Sequence, residues 1–343
     1  MLGLVTPHAL LAEPRQTHKP LRFLNWDTYI GKTTLRDFTQ RSGVDVAMDV
    51  FTSEADFVAK LLMSNPRYDV AVASDYSIMR LIRAELLTPL NRSLIPNISN
   101  INPQFMDAEF DKGRRYSLPY MWGTLGIGYR KSAVKGPVDS WKWLLDSDKY
   151  SGRIAVLDEQ STLIQMALKY LGYSINTTNA DEIKKAGNLL TKQKPHIKYF
   201  AGDNGQDLLR DGEVDLVMEW NGDISQVMEE DDDIAYVVPK EGSLVWQDNL
   251  CIPRRAPNVT AAHQFINFIF DAKAGAELAE EIAYATPNLA ALELTSESYQ
   301  KNAAIFPSKE ILARCESARY AGSRVSQLYN EAWNQILNGG GNQ

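Results

Sequence analysis

Asp248 stands in the run Leu244-Val245-Trp246-Gln247-Asp248-Asn249-Leu250-Cys251-Ile252-Pro253, which reads as a strand. At a strand's two-residue period Leu244, Trp246, Asp248, Leu250 and Ile252 share one face, so a carboxylate lies among apolar side chains with an indole two residues before it. An ionised carboxylate in such surroundings takes up a proton or is met by positive charge and hydrogen bonds. No Lys or Arg occurs between Lys240 and Arg254, so its partner comes from elsewhere in the fold or from a ligand. A structural Asp bonded to backbone N–H groups in a strand-end turn is the other reading of the same residues.

A second acid-and-aromatic group follows the apolar strand Leu21 to Leu24, where a turn carries Trp26, Asp27 and Tyr29. A third is Ser74-Asp75-Tyr76, directly after the strand from Asp69 to Ala73. Strand ends are where α/β folds place their sites. Ring faces beside carboxylates suit a cation with an aliphatic body, because the ring covers methylenes and its quadrupole attracts an ammonium by about 0.5–2 kcal/mol. Packing residues at the edge of a core would show the same aromatics.

The elements that must carry these turns alternate. Strand 21–24, helix 33–41, strand 44–51, helix 53–64, strand 69–73 and a helix from Asp75 make a β-α-β-α-β rhythm, hence a largely parallel, doubly wound sheet. A second α/β set runs from strand 153–157 through helices 161–171 and 180–191, strand 197–200, helix 204–211 and strand 214–218. Between the sets Gly123, Gly126 and Gly128 lack the dinucleotide spacing and mark a backbone crossing or a close-packed strand. An apolar helix at 265–270 and a last helix, with Val325, Leu328, Tyr329, Ala332, Trp333, Ile336 and Leu337 at 3-4 spacing, complete the chain. Two such sets imply that the chain leaves its first domain near 125 and returns near 248, with strand-end turns from both facing one cleft.

Composition narrows the function. With 36 basic and 43 acidic residues the 343-residue chain carries a formal charge of −7, which argues against a nucleic-acid partner and favours collecting cations. No stretch is long and apolar enough to insert in a membrane. No nucleophile elbow, zinc-protease or Walker pattern is present, and His8, His18, His196 and His263 are scattered as surface or packing residues, so an enzyme is not expected and no cofactor or metal is implied. Cys251 and Cys315 allow one bridge, but Cys251 in an apolar strand and Cys315 on a helix pattern favour two buried free thiols. Residues 1–19 resemble the end of a secretory signal without its basic leader, a frayed apolar N-terminus being the alternative. The acidic run Glu229 to Asp233 reads as a solvated face.

Taken together, Asn25-Trp26-x-x-Tyr29, Tyr68-Asp69-Val70-Ala71-Val72 leading to Ser74-x-Tyr76, Pro119-Tyr120-x-Trp122-Gly123, Gln165-Met166-Ala167-Leu168, Trp220-Asn221-Gly222, Pro239-Lys240-Glu241-Gly242, Trp246-x-Asp248 and Tyr284-x-Thr286-Pro287-Asn288-Leu289-Ala290 resemble the periplasmic spermidine/putrescine receptors of ABC transporters in order and approximate spacing. The resemblance implies a two-lobed, flytrap-like α/β fold. Lobe 1 would be 20–124 plus 248–299, lobe 2 would be 125–247 plus 300–338, and 339–343 would be a tail. It further implies that Trp26, Tyr29, Tyr76, Trp220, Trp246 and Tyr284 cage a methylene chain, and that Asp248 and Glu159 each hold an amine. A monomer in the periplasm is expected. It would deliver a linear polyamine to an inner-membrane permease or, alternatively, report the ligand to a membrane sensor. Against the family pattern, Thr162 replaces a second acid, Asp27 and Asp75 replace hydroxyls, Gly202 replaces a serine, and Arg319 stands near a glutamine. The carboxylates are redistributed.

Overall fold

The computed structural model describes residues 19–63, 67–202 and 204–339. The signal-like stretch up to residue 18, with His8 and His18, and the last four residues lie outside them. Among the described residues nine strands form the framework: β1 (Leu21–Trp26), β2 (Val46–Phe51), β3 (Val70–Ser74), β4 (Ser117–Arg130), β5 (Ile154–Leu157), β6 (Ile197–Ala201), β7 (Leu216–Trp220), β8 (Ile234–Val237) and β9 (Val245–Cys251). Their order is β2-β1-β3-β9-β4-β7-β5-β6, with β8 also paired to β4.

Each lobe has three parallel strands at its heart: β2-β1-β3 in one, β7-β5-β6 in the other. The apolar runs of these strands are explained by burial on both faces. Val70 and Val72 enter one core with Leu21, Phe23, Phe265 and Leu250, while Ala71 and Ala73 enter another with Leu24, Phe57 and Ile78. The second lobe repeats the arrangement. Ile154 and Val156 pack against the helices 160–170, 180–193 and 323–338, and Ala155 faces Val217 and Ile224 on the other side.

Two antiparallel strands join the halves. The first part of β4 pairs with β9, from Ser117↔Cys251 to Thr124↔Val245. Its second part pairs with β7 and β8. The crossing is therefore a ladder of backbone hydrogen bonds rather than a slack linker. Close approach there requires glycine: a Cβ on Gly123 would lie 2.1 Å from Asn221 Oδ1 and 2.6 Å from the Trp246 ring. Gly126 and Gly128 are equally crowded, by Tyr236 and by Ile224.

Three expectations need correction. Leu244 does not share a core with Leu250 and Ile252; it joins the second lobe's cluster, because β9 changes lobes between them. Cys315 is only half-buried and follows a four-residue helix, Lys309–Leu312, rather than lying on one; both thiols are free. The run Glu229 to Asp233 is more than a solvated face. Asp231 and Asp233 each meet Arg130 Nη1 at 3.1 Å, and Asp233 also accepts from the amide and hydroxyl of Ser132.

Gly123→Ala is expected to lower stability by about 1–3 kcal/mol through overpacking at the crossing. Gly202→Ala, where no atom lies within 4 Å of the added carbon, should stay within about 0.5 kcal/mol. Urea midpoints of the two variants check the contrast.

Candidate functional site

A cavity of about 730 Å³ lies where the C-terminal ends of the parallel strands of both lobes converge. The end of β1 supplies Trp26 and Asp27, that of β3 supplies Ser74, Asp75 and Tyr76, and that of β7 supplies Trp220. Glu159 follows β5, Trp246 and Asp248 lie on β9, and Tyr284 precedes an irregular loop. With Tyr29, three residues beyond β1, all eleven residues singled out from the sequence line one cavity. Thr162, Gly202 and Arg319 line it as well.

Rings define much of its wall. Tyr29 meets Tyr284 edge-on at 5.1 Å between centroids and Tyr120 at 5.2 Å. Trp246 is 5.2 Å from Tyr284 and 5.9 Å from Trp220, both edge to face. Such pairs fix ring orientation. Tyr29 is further anchored through its carbonyl, which accepts from Asn25 Nδ2 at 2.7 Å and Tyr120 OH at 2.8 Å. Tight packing at Gly222, where a Cβ would lie 2.3 Å from the Tyr284 ring, brings the two lobes together beside the cage.

The charges are one-sided. Among the described lining residues, seven are acids (Asp27, Glu54, Asp75, Asp158, Glu159, Asp223 and Asp248) and one, Arg319, is basic. Asp248 is buried, pairs across the sheet with Ser74, and forms no ion pair with Lys or Arg among the described residues. Its neighbour is the Tyr29 hydroxyl, which has no well-formed hydrogen bond of its own. Desolvation, and then the charges of Glu54 and Asp75, push the Asp248 carboxyl well above the usual range. Desolvation likewise raises Asp75 to about 7, a backbone hydrogen bond from Tyr76 N at 2.7 Å opposing it. Glu54 accepts from Ser74 Oγ at 2.5 Å and from Ser77 Oγ. Thr162 Oγ1 donates to Glu159 Oε2 at 2.9 Å, so this threonine supports the neighbouring carboxylate.

Glu54, Asp158 and Asp223 were missed by sequence reasoning. Glu54 follows the end of β2 and opens the helix Glu54–Met63; Ser53 signalled the helix start without showing that this turn is one more strand end on the same cleft. Asp158 and Asp223 sit beside residues that were recognised, Glu159 and Trp220, and carry no separate signal. Asp27, by contrast, is exposed at the rim, where it accepts from Thr28 N at 3.0 Å.

A fixed cluster of desolvated acids has a cost in the empty protein. Asp75 ionises near 7 in the fold, against a reference value of 3.8. The native state thus holds more protons than the unfolded chain between those values, and stability falls as pH rises across that window. The loss amounts to at most about 4 kcal/mol at neutral pH. Asp75→Asn is expected to remove most of this slope and to raise the melting temperature of the ligand-free protein at pH 7. Thermal denaturation between pH 4.5 and 7.5 checks both.

Known proteins place this architecture. The family model of the bacterial extracellular solute-binding proteins matches residues 33–307. The spermidine/putrescine-binding periplasmic protein of Escherichia coli (strain K12) is 33% identical over 340 residues, 98% of this chain and 95% of that one. A putrescine-binding periplasmic protein of Pseudomonas aeruginosa is 31% identical over 94% of this chain and 93% of its own. The solved spermidine/putrescine ABC transporter substrate-binding protein of Streptococcus pneumoniae superposes with a TM-score of 0.83 at 31% identity, covering 94% of this chain and 99% of that one. The chain belongs to the bacterial extracellular solute-binding proteins, among the periplasmic spermidine/putrescine-binding proteins of ABC transporters.

Proposed function

We propose that this protein is a receptor, not an enzyme, that binds a linear polyamine between its lobes and delivers it to an inner-membrane permease. The observation that carries the reading is the cluster of buried Asp248 and Asp75 with half-buried Glu54, facing an aromatic cage and, among the described residues, ion-paired with no Lys or Arg. An ammonium supplies the missing charge. Methylenes between ammonium groups fit against Trp246, Tyr284, Tyr29 and Trp220, where water leaves both ring and chain. Glu159, across the cleft, takes a second amine. Trp26, Tyr76, Ser74 and Asp27 complete the wall and rim. The lobes in this reading are 20–124 plus 248–299 and 125–247 plus 300–338, hinged at β4 and β9.

Two charge-assisted contacts at about 1.5–3 kcal/mol each, with methylene burial, support micromolar or tighter binding. Calorimetric titration is expected to show that affinity for spermidine, and no heat with a neutral sugar or with glutamate; tight sugar binding without a polyamine response contradicts the reading. Uptake of labelled spermidine by cells lacking the gene separates delivery from sensing, since a sensor leaves uptake unchanged.

Asp248→Asn is expected to weaken spermidine binding by about 2–5 kcal/mol, because the ammonium loses its partner in a desolvated site. Asp232→Asn, at an exposed residue of the acidic run, should change affinity by less than about 0.5 kcal/mol. Titration of both variants checks this, and equal small losses would make Asp248 structural.

A further inference from the structure

We propose that Tyr320 is a clasp residue, mounted on the second lobe and closed onto the first, that sets how long the cleft stays shut without choosing its ligand. The proposal rests on the reading that the cleft closes on a ligand. The segment carrying Tyr320 is pinned to the second lobe by its own polar contacts. Glu316 accepts from Lys169 Nζ at 2.6 Å and Ser174 Oγ at 2.5 Å. Its backbone bonds to Ser243 and Val245 at the β9 crossing. Asn176 then holds Ser317 O at 3.0 Å and Arg319 N at 2.7 Å. Beyond it, Gly322, at φ +94°, turns the chain into the helix Ser323–Asn338, whose Val325, Tyr329, Ala332 and Ile336 are buried in the second lobe's core.

From this mount the Tyr320 ring crosses to the helix Asp75–Arg83 of the first lobe. It meets the Tyr76 ring at 5.8 Å and 67°, and the Arg83 guanidinium lies 5.3 Å from its centroid. Arg80 covers Tyr76 in turn, at 5.5 Å. Two cations and two rings therefore bridge the mouth of the cavity, beside an ion pair at 3.2 Å between exposed Arg319 and Glu109. Exposed ion pairs contribute little, whereas a ring pair with a cation on its face holds an orientation. Because these partners are protein groups, the contact favours the closed state whichever ligand is inside, and acts on dissociation rather than on selectivity.

The test is stopped-flow and equilibrium binding of spermidine and putrescine to full-length Tyr320→Ala, Tyr320→Phe, Arg83→Ala and the Tyr320→Ala/Arg83→Ala double variant, with small-angle scattering of each ligand-free protein. Tyr320→Ala is expected to weaken both ligands by the same factor, about 10-fold, through a faster off-rate. Tyr320→Phe, which keeps the ring, should restore wild-type rates. Arg83→Ala should lose less, and nothing further once Tyr320 is gone. Loss for spermidine alone makes Tyr320 a ligand contact and overturns the clasp, as do unchanged off-rates or full additivity of the two substitutions. If the wild-type protein binds neither amine, the functional reading fails and scattering decides the clasp by itself. A larger radius of gyration in Tyr320→Ala then supports it, and superimposable curves overturn it.

Discussion

Everything in the cleft follows from two buried carboxylates, Asp248 and Asp75, held beside the half-buried Glu54. Asp248, Asp75 and Glu54 come from a strand and two helix starts of one lobe, and burial first, with the charges of neighbouring acids adding to it, raises the two aspartates. Nothing in the chain neutralises them by direct pairing among the described residues. Arg114, fully buried, donates from Nη1 to Asn249 Oδ1 at 2.8 Å, and its charge opposes the rise at Asp75. Burial depresses Arg114 itself, to about 10, against the charges of Asp111 and Asp75. Carboxylates raised in this way are destabilised in their ionised form, and nearby positive charge relieves that.

The fold would ordinarily favour the opposite charge. Parallel α/β lobes aim helix N-termini at the cleft, and such termini attract anions. Here each terminus carries an acid. Glu54 and Asp75 are the first residues of their helices, Glu159 is an N-cap, and Asp223 lies in the first turn after Trp220. The positive ends of the helices are thus faced by carboxylates rather than left open to an anion, and in the proposed reading those carboxylates suit a cation. The aromatic wall adds what a charged surface lacks, a dry face for the aliphatic body between amines.

Legibility in the sequence followed the same physics. Strand ends were readable because a short apolar run stops at a polar turn, so Trp26 and Ser74 to Tyr76 stood out by position, and Asp248 stood out as a carboxylate on an apolar strand face. Both parallel sheets were readable from rhythm. The β4–β9 ladder was not, since antiparallel pairing over a separation of more than 100 residues leaves no local periodicity, and only the crowded glycines hinted at a crossing. Glu54 escaped notice because a helix-start signal and a site signal coincide there. The ties of Arg130 to Asp231 and Asp233 were invisible for a related reason: a charge run looks solvated until the fold brings an arginine to it.

The central claim is that the acids of the empty cleft hold protons which an ammonium ligand displaces. Its most direct measurement is spermidine titration at pH 7 in buffers of different ionisation enthalpy. The account predicts that the observed heat varies with buffer in the sense of proton release, and that the release shrinks in Asp248→Asn and in Asp75→Asn. Binding heat independent of the buffer would contradict it, because the carboxylates would then be ionised before the ligand arrives.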